Sequence, residues 1–219
     1  MIALDPDRRL ALAYVPAAHR PAVEALWNLD AALASVLSTG REPMISQIRL
    51  AWWREALEKL DREKAPAEPV LRSLAEHVLP AGISGAELSA MEAGWAMLLS
   101  PEPLSAADLE LYASARGGLL FRCTARLLGE PLPSPEVEAG GAAWALIDLA
   151  RHSTDAPDSD AAAAAARSIG AWRWPARLRP LGMLAALALR DADPERPRWE
   201  PQGAPGRMLR MLRHRLTGK

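Results

Sequence analysis

Cysteine is nearly missing: one residue, Cys123, stands in a chain of 219. A single thiol excludes a disulfide framework and a cysteine-rich zinc site, and it suits a reducing compartment. Strand-forming residues are scarce too, with 6 valines, 6 isoleucines, 4 threonines, 2 tyrosines and 1 phenylalanine. Alanine supplies 44 positions, and with leucine, arginine and glutamate it favours helices. The expected class is therefore all-α. No run of about 18 apolar residues occurs, because Arg or Glu interrupts each one, so no membrane-crossing helix is expected. The start of the chain, Met1-Ile-Ala-Leu-Asp-Pro-Asp-Arg-Arg9, lacks a basic segment followed by an apolar one. A soluble, cytoplasmic protein is expected, attached at most to the inner face of a membrane. Excess charge is also missing: the net charge of −1 argues against nucleic acid as a partner of the whole molecule. The chain is nonetheless 50% hydrophobic and 24% charged, which excludes wholesale disorder and suffices for one continuous core over residues 1–219.

What is abundant is punctuation. The 19 prolines and 14 glycines divide the chain into helix-length pieces. Helices are expected at about 16–37, 43–61, 70–78, 84–99, 105–129, 135–152, 161–166, 178–190 and 206–217. Ser84-Gly-Ala-Glu87 reads as a capping box, and Ser105 with Asp108 opens the fifth helix. Asp155, Asp158 and Asp160 read as solvated acids in a loop, without calcium-loop spacing. No repeat of helical-array length stands out, so the pattern is a bundle.

Two charges fall on apolar faces when residues are set at about 100° per position. In the first helix Val23, Leu26, Leu33, Ala34 and Leu37 form that face, and Asp30 lies near its centre. In the second, Ile45, Ile48, Trp52, Trp53, Ala56, Leu57 and Leu60 surround Arg49. An unpaired buried charge costs several kcal/mol, so each needs a partner. The simplest expectation pairs Asp30 with Arg49 beside Trp53, either as a structural ion pair or as the lining of a polar cavity. On the sixth helix Trp144, Asp148, Arg151 and His152 share a stripe that is either a narrow solvent face or a site. Asp148, Arg151 and His152 are the candidate catalytic residues there, and Asp148 and His152 at i,i+4 can bridge. Two ligands on one helix are a weak metal signal. Cys123, inside a helical segment, reads as a packed thiol and not a nucleophile. No phosphate-binding glycine loop, G-x-S-x-G or H-E-x-x-H is present.

The segment Arg49-Leu-Ala-Trp-Trp-Arg-Glu-Ala-Leu57 resembles the squalene/phytoene synthase family. Pro16–Asn28, Leu111–Gly129 and Gly141–Arg151 are similar to further helices of that family, so the resemblance covers about residues 8–190. It implies an isoprenoid-synthase helical bundle, somewhat truncated. Active members condense two prenyl diphosphates on magnesium ions held by two Asp-rich motifs, since Mg²⁺ takes oxygen ligands and substrate phosphates. Aligned on Leu26-Trp27-Asn28, the first motif's outer positions fall on Ala32 and Val36. Those of the second fall on His152 and Ala156, with Asp155 one place out of register. The family also has a branch without the Asp motifs, related to complex I assembly factors, whose members carry an acid where this chain has Asp30. The resemblance thus implies a pseudoenzyme with no cofactor, a binding or assembly factor with an isoprenoid- or lipid-sized cavity. The alternative is a divergent prenyl transferase of terpenoid biosynthesis, using Mg²⁺ on Asp148, Asp155 or other acids.

The last helix, about 204–217, is amphipathic. Arg207, Arg210, Arg213 and His214 share one arc opposite Met208, Leu209, Leu212 and Leu216. From Arg196 to Lys219 there are seven basic residues and one acid. That arc is the expected contact surface for a partner protein or an anionic membrane, with the leucines packed on the chain's own domain.

Overall fold

Most of the helices start with a proline in the first turn, with a polar side-chain cap, or with both. The computed structural model describes residues 4–40, 42–195 and 199–218, and these contain no strand. Helix α1 spans Pro6–Ala13, α2 Arg20–Thr39, α3 Pro43–Lys59, α4 Pro69–His77, α5 Gly85–Ser89 and α6 Met91–Met97. Helices α7 (Ala106–Tyr112) and α8 (Leu119–Leu127) are joined by a π-helical segment, Ala113–Gly118. The rest are α9 (Pro135–His152), α10 (Ala156–Arg167), α11 (Arg179–Asp191) and α12 (Pro205–Thr217). The chain is all-α, as composition implied.

Caps account for several starts. Asp5 accepts from the Arg8 amide, Glu68 from Leu71, Ser84 from Glu87 and Ser105 from Asp108, where a reciprocal capping box forms. Two starts differ from expectation. Helix α1 was not expected, although Asp5-Pro6-Asp7 is a cap, a first-turn proline and a first-turn acid. Helix α10 begins at Ala156, because Asp155 caps it through the Asp158 amide at 3.1 Å, so Asp155 and Asp158 are not loop acids.

Helix α9 is the hub. It packs against the π segment, α8, α10 and α11, while α2 packs against α3, α4 and α8, and α1 crosses to α2, α11 and α12. Trp27 on α2 donates to the Thr124 hydroxyl on α8 at 3.1 Å within the core. The π segment meets α9 at two facing glycines: a Cβ on Gly117 would stand 2.1 Å from the Gly141 carbonyl oxygen, and a Cβ on Gly141 equally close to that of Gly117. Backbone-to-backbone contact of this kind admits no side chain.

Helix α3 corrects the expected face. Leu50, Trp53, Ala56 and Leu57 are buried, but Met44, Ile45, Ile48 and Trp52 lie outside, with Ile48 64% exposed. The buried stripe is rotated, because Ser46 turns inward and donates to the Val36 carbonyl.

Gly117→Ala or Gly141→Ala is expected to destabilise the fold by about 1–3 kcal/mol, as overpacking does. That corresponds to a Tm lower by about 2–4 °C for each kcal/mol. Gly170→Ala, with nothing within 4 Å of its Cβ, should leave Tm nearly unchanged in the same thermal melt.

Candidate functional site

Asp30 stands on the inner side of α2 with no solvent exposure. Its Oδ1 accepts from Arg116 Nε at 2.8 Å, and its Oδ2 from Arg116 Nη2 at 3.0 Å and Arg8 Nη1 at 2.9 Å. Arg8 comes from α1 and donates its Nε to Asp5 Oδ2 at 2.5 Å. Arg116 comes from the π segment, donates to the Tyr112 hydroxyl, and places Nη1 2.7 Å from Asp148 Oδ2 on α9. Its guanidinium lies over Trp95 at 4.2 Å and Trp144 at 4.7 Å from the ring centroids. Three helices and a π turn are thus tied by two arginines and two acids.

Electrostatics follow from this packing. Burial alone would lower the Arg116 pKa, but Asp30 above all, with Asp148, holds it well above the ordinary value. Burial alone would raise the Asp148 carboxyl, but Arg116, Arg8 and His152 outweigh it and hold it below the usual carboxylate range. Burial pushes the Tyr112 hydroxyl above its ordinary pKa, so it stays protonated. Cys123 is buried on α8 and its thiol is pushed up to about 12 by burial and by Glu87, which makes it a poor nucleophile.

Against this network lies a cavity of about 610 Å³. Ala31, Ala34, Leu37, Trp95, Leu98 and Leu149 give it an apolar wall. Arg8, Arg116 and Asp148 reach it at one end, with His152 beside Asp148. The His152 Nδ1 lies 2.8 Å from the Asp148 carbonyl oxygen and 3.4 Å from its carboxylate. Of the expected stripe, Trp144 is buried, Asp148 mostly buried and Arg151 half-buried, and only His152 at its end is exposed.

Several expectations are corrected. Arg49 does not meet Asp30: it is exposed and donates to the Thr39 hydroxyl at 3.2 Å, since α3 is rotated away. Trp53 is a core residue on α3 and does not line the cavity. Ala32 and Val36 are buried in the core, and the α2 positions that face the cavity are Ala31, Ala34, Ser35, Leu37 and Ser38. Ala156 does not line it, whereas His152 and Asp155 do. Arg8, Arg116 and Tyr112 were missed. For Arg116 the signal was a charge in the apolar spacing Leu109, Tyr112, Ala113, Leu120.

Arg151 belongs to another network, with its Nη2 donating to the Glu200 carbonyl at 2.7 Å and its Nη1 to Asp191 at 3.3 Å. That network anchors α12 inside out. Arg207 is only 4% exposed, donates to Asp7 Oδ2 at 2.8 and 3.0 Å, and reaches Asp191 at 2.5 Å. His214 is buried, Arg210 half-buried and Arg213 exposed, while Leu209 and Leu216 face outward, Leu216 being 78% exposed. The expected basic contact arc is mostly the packed side. Arg196, Arg198 and Lys219 lie outside the described residues. No described helix is long and apolar enough to cross a membrane, and no described group of three or more His, Cys, Asp or Glu could hold a metal ion.

The described residues form an all-α bundle with a half-open cavity beside buried acids on α2 and α9. The squalene/phytoene synthase family model matches residues 3–182, and the chain belongs to that family. No curated protein and no solved structure matches it.

Asp30→Ala is expected to cost about 3–5 kcal/mol in urea unfolding, because it leaves two buried arginines short of a counter-charge. Arg49→Ala should stay within about 0.5 kcal/mol of the parent. Asp148 titrates lower folded than unfolded, so it adds stability above the unfolded value of about 3.9 that is lost as pH falls through its folded pKa. Asp148→Asn should therefore flatten the Tm profile below about pH 5; an unchanged profile counts against the Arg116–Asp148 pair.

Proposed function

We propose that this protein is a family member that no longer condenses prenyl diphosphates and acts as a binding or assembly factor, with an isoprenoid- or lipid-sized molecule in its cavity. One observation carries the reading: Asp148 in the cavity lining and Asp30 buried behind it are both bound by arginine. Asp30 gives both oxygens to Arg8 and Arg116, and Asp148 gives one to Arg116. Magnesium needs carboxylate oxygens with lone pairs to spare. The positions where the family's two motifs would place their metal-binding acids hold Ala32, Val36, His152 and Ala156. These donors do not fit a magnesium–diphosphate cluster, so no cofactor belongs to the reading.

The volume supports the binding half. About 610 Å³ is within the range of pockets that hold ligands of a few hundred daltons. The rival reading, a divergent transferase, draws on the carboxylates of Asp155 and Asp158 at the rim.

Purified protein incubated with farnesyl diphosphate and Mg²⁺ is expected to release no diphosphate and form no condensed product. Turnover that Asp148→Ala abolishes would overturn the proposal. Binding is read separately, by retention of farnesol on gel filtration, which Ala34→Trp should remove by filling the cavity.

A further inference from the structure

Helix α12 is locked with a leucine face outward. Near its start Arg207 binds Asp7 and Asp191, and Met211 and His214 are buried on the same side. At its end Arg179 Nη1 donates to the carbonyls of Arg215 and Leu216 at 3.0 and 2.8 Å, and the Trp174 amide donates to the Gly218 carbonyl at 3.0 Å. Anchored at both ends, the helix cannot roll its other face inward. Leu209, Leu212 and Leu216 stand at i, i+3 and i+7 on that face, about 10 Å from first to last. Leu209 is 70% and Leu216 78% exposed, with Leu212 half-buried between them. Leucines scattered singly on a surface need no explanation, but a continuous row rimmed by charge marks a contact surface.

The rim of this row has one sign. Arg213 lies exposed among the leucines, and Arg210 and Arg215 are half-buried on either flank, Arg215 over the Tyr14 ring at 5.6 Å. No acid occurs from Pro201 to Lys219. Glu200, just before the helix, is held by Arg190 at 2.6 Å, and Asp7 and Asp191 are held on the inner side by Arg207. The other exposed apolar row, Met44, Ile45, Ile48 and Trp52 on α3, differs. There Arg49, Arg54 and Lys59 are balanced by Glu55, Glu58 and the N-cap Glu42, so charge selects no partner. Protein contact hot spots are poor in leucine, whereas helices that lie in a headgroup layer combine leucine with arginine. An arginine keeps its stem along apolar surface while its charged head reaches a phosphate.

We infer that the outer face of α12 docks the protein on an anionic lipid bilayer, with Leu209, Leu212 and Leu216 at the level of the upper acyl chains and Arg213 at the lipid phosphates. The helix lies in the plane of the interface and crosses nothing, and no described helix is built to cross. The contact is made by the side opposite Arg207 and His214, which are packed inside. It does not depend on what the cavity holds.

The full chain is mixed with phosphatidylcholine vesicles, with or without about 30% phosphatidylglycerol, and the bound fraction is read by sedimentation. Binding to the anionic vesicles is expected to be at least about tenfold tighter than to the neutral ones and to weaken as salt is raised. Leu209→Ser combined with Leu216→Ser is expected to weaken it about tenfold or more, and Arg213→Ala about fivefold. All three positions are exposed, so the thermal melt should be nearly unchanged, which separates lost binding from lost folding. Arg49→Ala, which removes the same charge from an exposed site on α3, should leave vesicle binding unchanged. No binding to anionic vesicles, equal binding to neutral ones, full binding by the double leucine variant, or an equal loss from Arg49→Ala overturns the inference. So does tighter capture by a poly-glutamate peptide than by anionic vesicles, which assigns the face to an acidic protein. A dimer at sedimentation equilibrium that the double leucine variant dissolves also overturns it, in favour of a second copy.

Discussion

A fully buried carboxylate shared by two guanidinium groups holds the centre of this bundle, and the elements around it are arranged to make that tolerable. A charge removed from water is stable only when paired and hydrogen-bonded on all sides. Asp30 obtains this from Arg116 on one helix and Arg8 on another, and Arg116 in turn needs Asp148 and Tyr112 to occupy its remaining donors. The short helix α1 is therefore part of the core's ionic bookkeeping, although its eight residues bury little apolar surface. The π turn has the same origin. It places Arg116 beneath Trp144 while Gly117 meets Gly141 backbone to backbone, and a side chain at either glycine would force the helices apart.

Much of this fold is legible in the sequence because helix ends are local. Proline and glycine mark the boundaries of α3 and α9, and Ser84 and Ser105 announce their helices through capping. Burial of a charge is legible too: Asp30 on the apolar face of α2 is inside. Its partner is not, because a helical wheel reports which face is buried and says nothing about which neighbour that face meets. Arg49 and Arg116 both sit in apolar surroundings by sequence, but α3 turns its arginine to solvent while the π segment turns its own to the core. Across Ala113–Gly118 the wheel itself fails, since a π turn holds more residues than an α turn and shifts the phase of everything after it.

Helix α12 shows the same limit in another form. Its two faces are plain from spacing, yet Leu209 and Leu216 lie outside and Arg207 inside. The wheel assumes that apolar area decides the docking face. Here two carboxylates, Asp7 on α1 and Asp191 on α11, face the helix, and Arg207 turns inward to bind both. Only the tertiary arrangement brings Asp7, Asp191 and Arg207 together, so no local pattern could have foretold the inversion.

The same arithmetic bears on what the cavity does. A site that holds metal and diphosphate keeps several carboxylates close together and uncompensated until the ions arrive, which destabilises the empty fold by like-charge repulsion. In this chain Asp30 on α2 and Asp148 on α9 are each paired from within by Arg116, which the core cannot release without leaving a buried charge unpaired. Beside the network lies the apolar space walled by Ala31, Ala34, Leu37, Leu98 and Leu149.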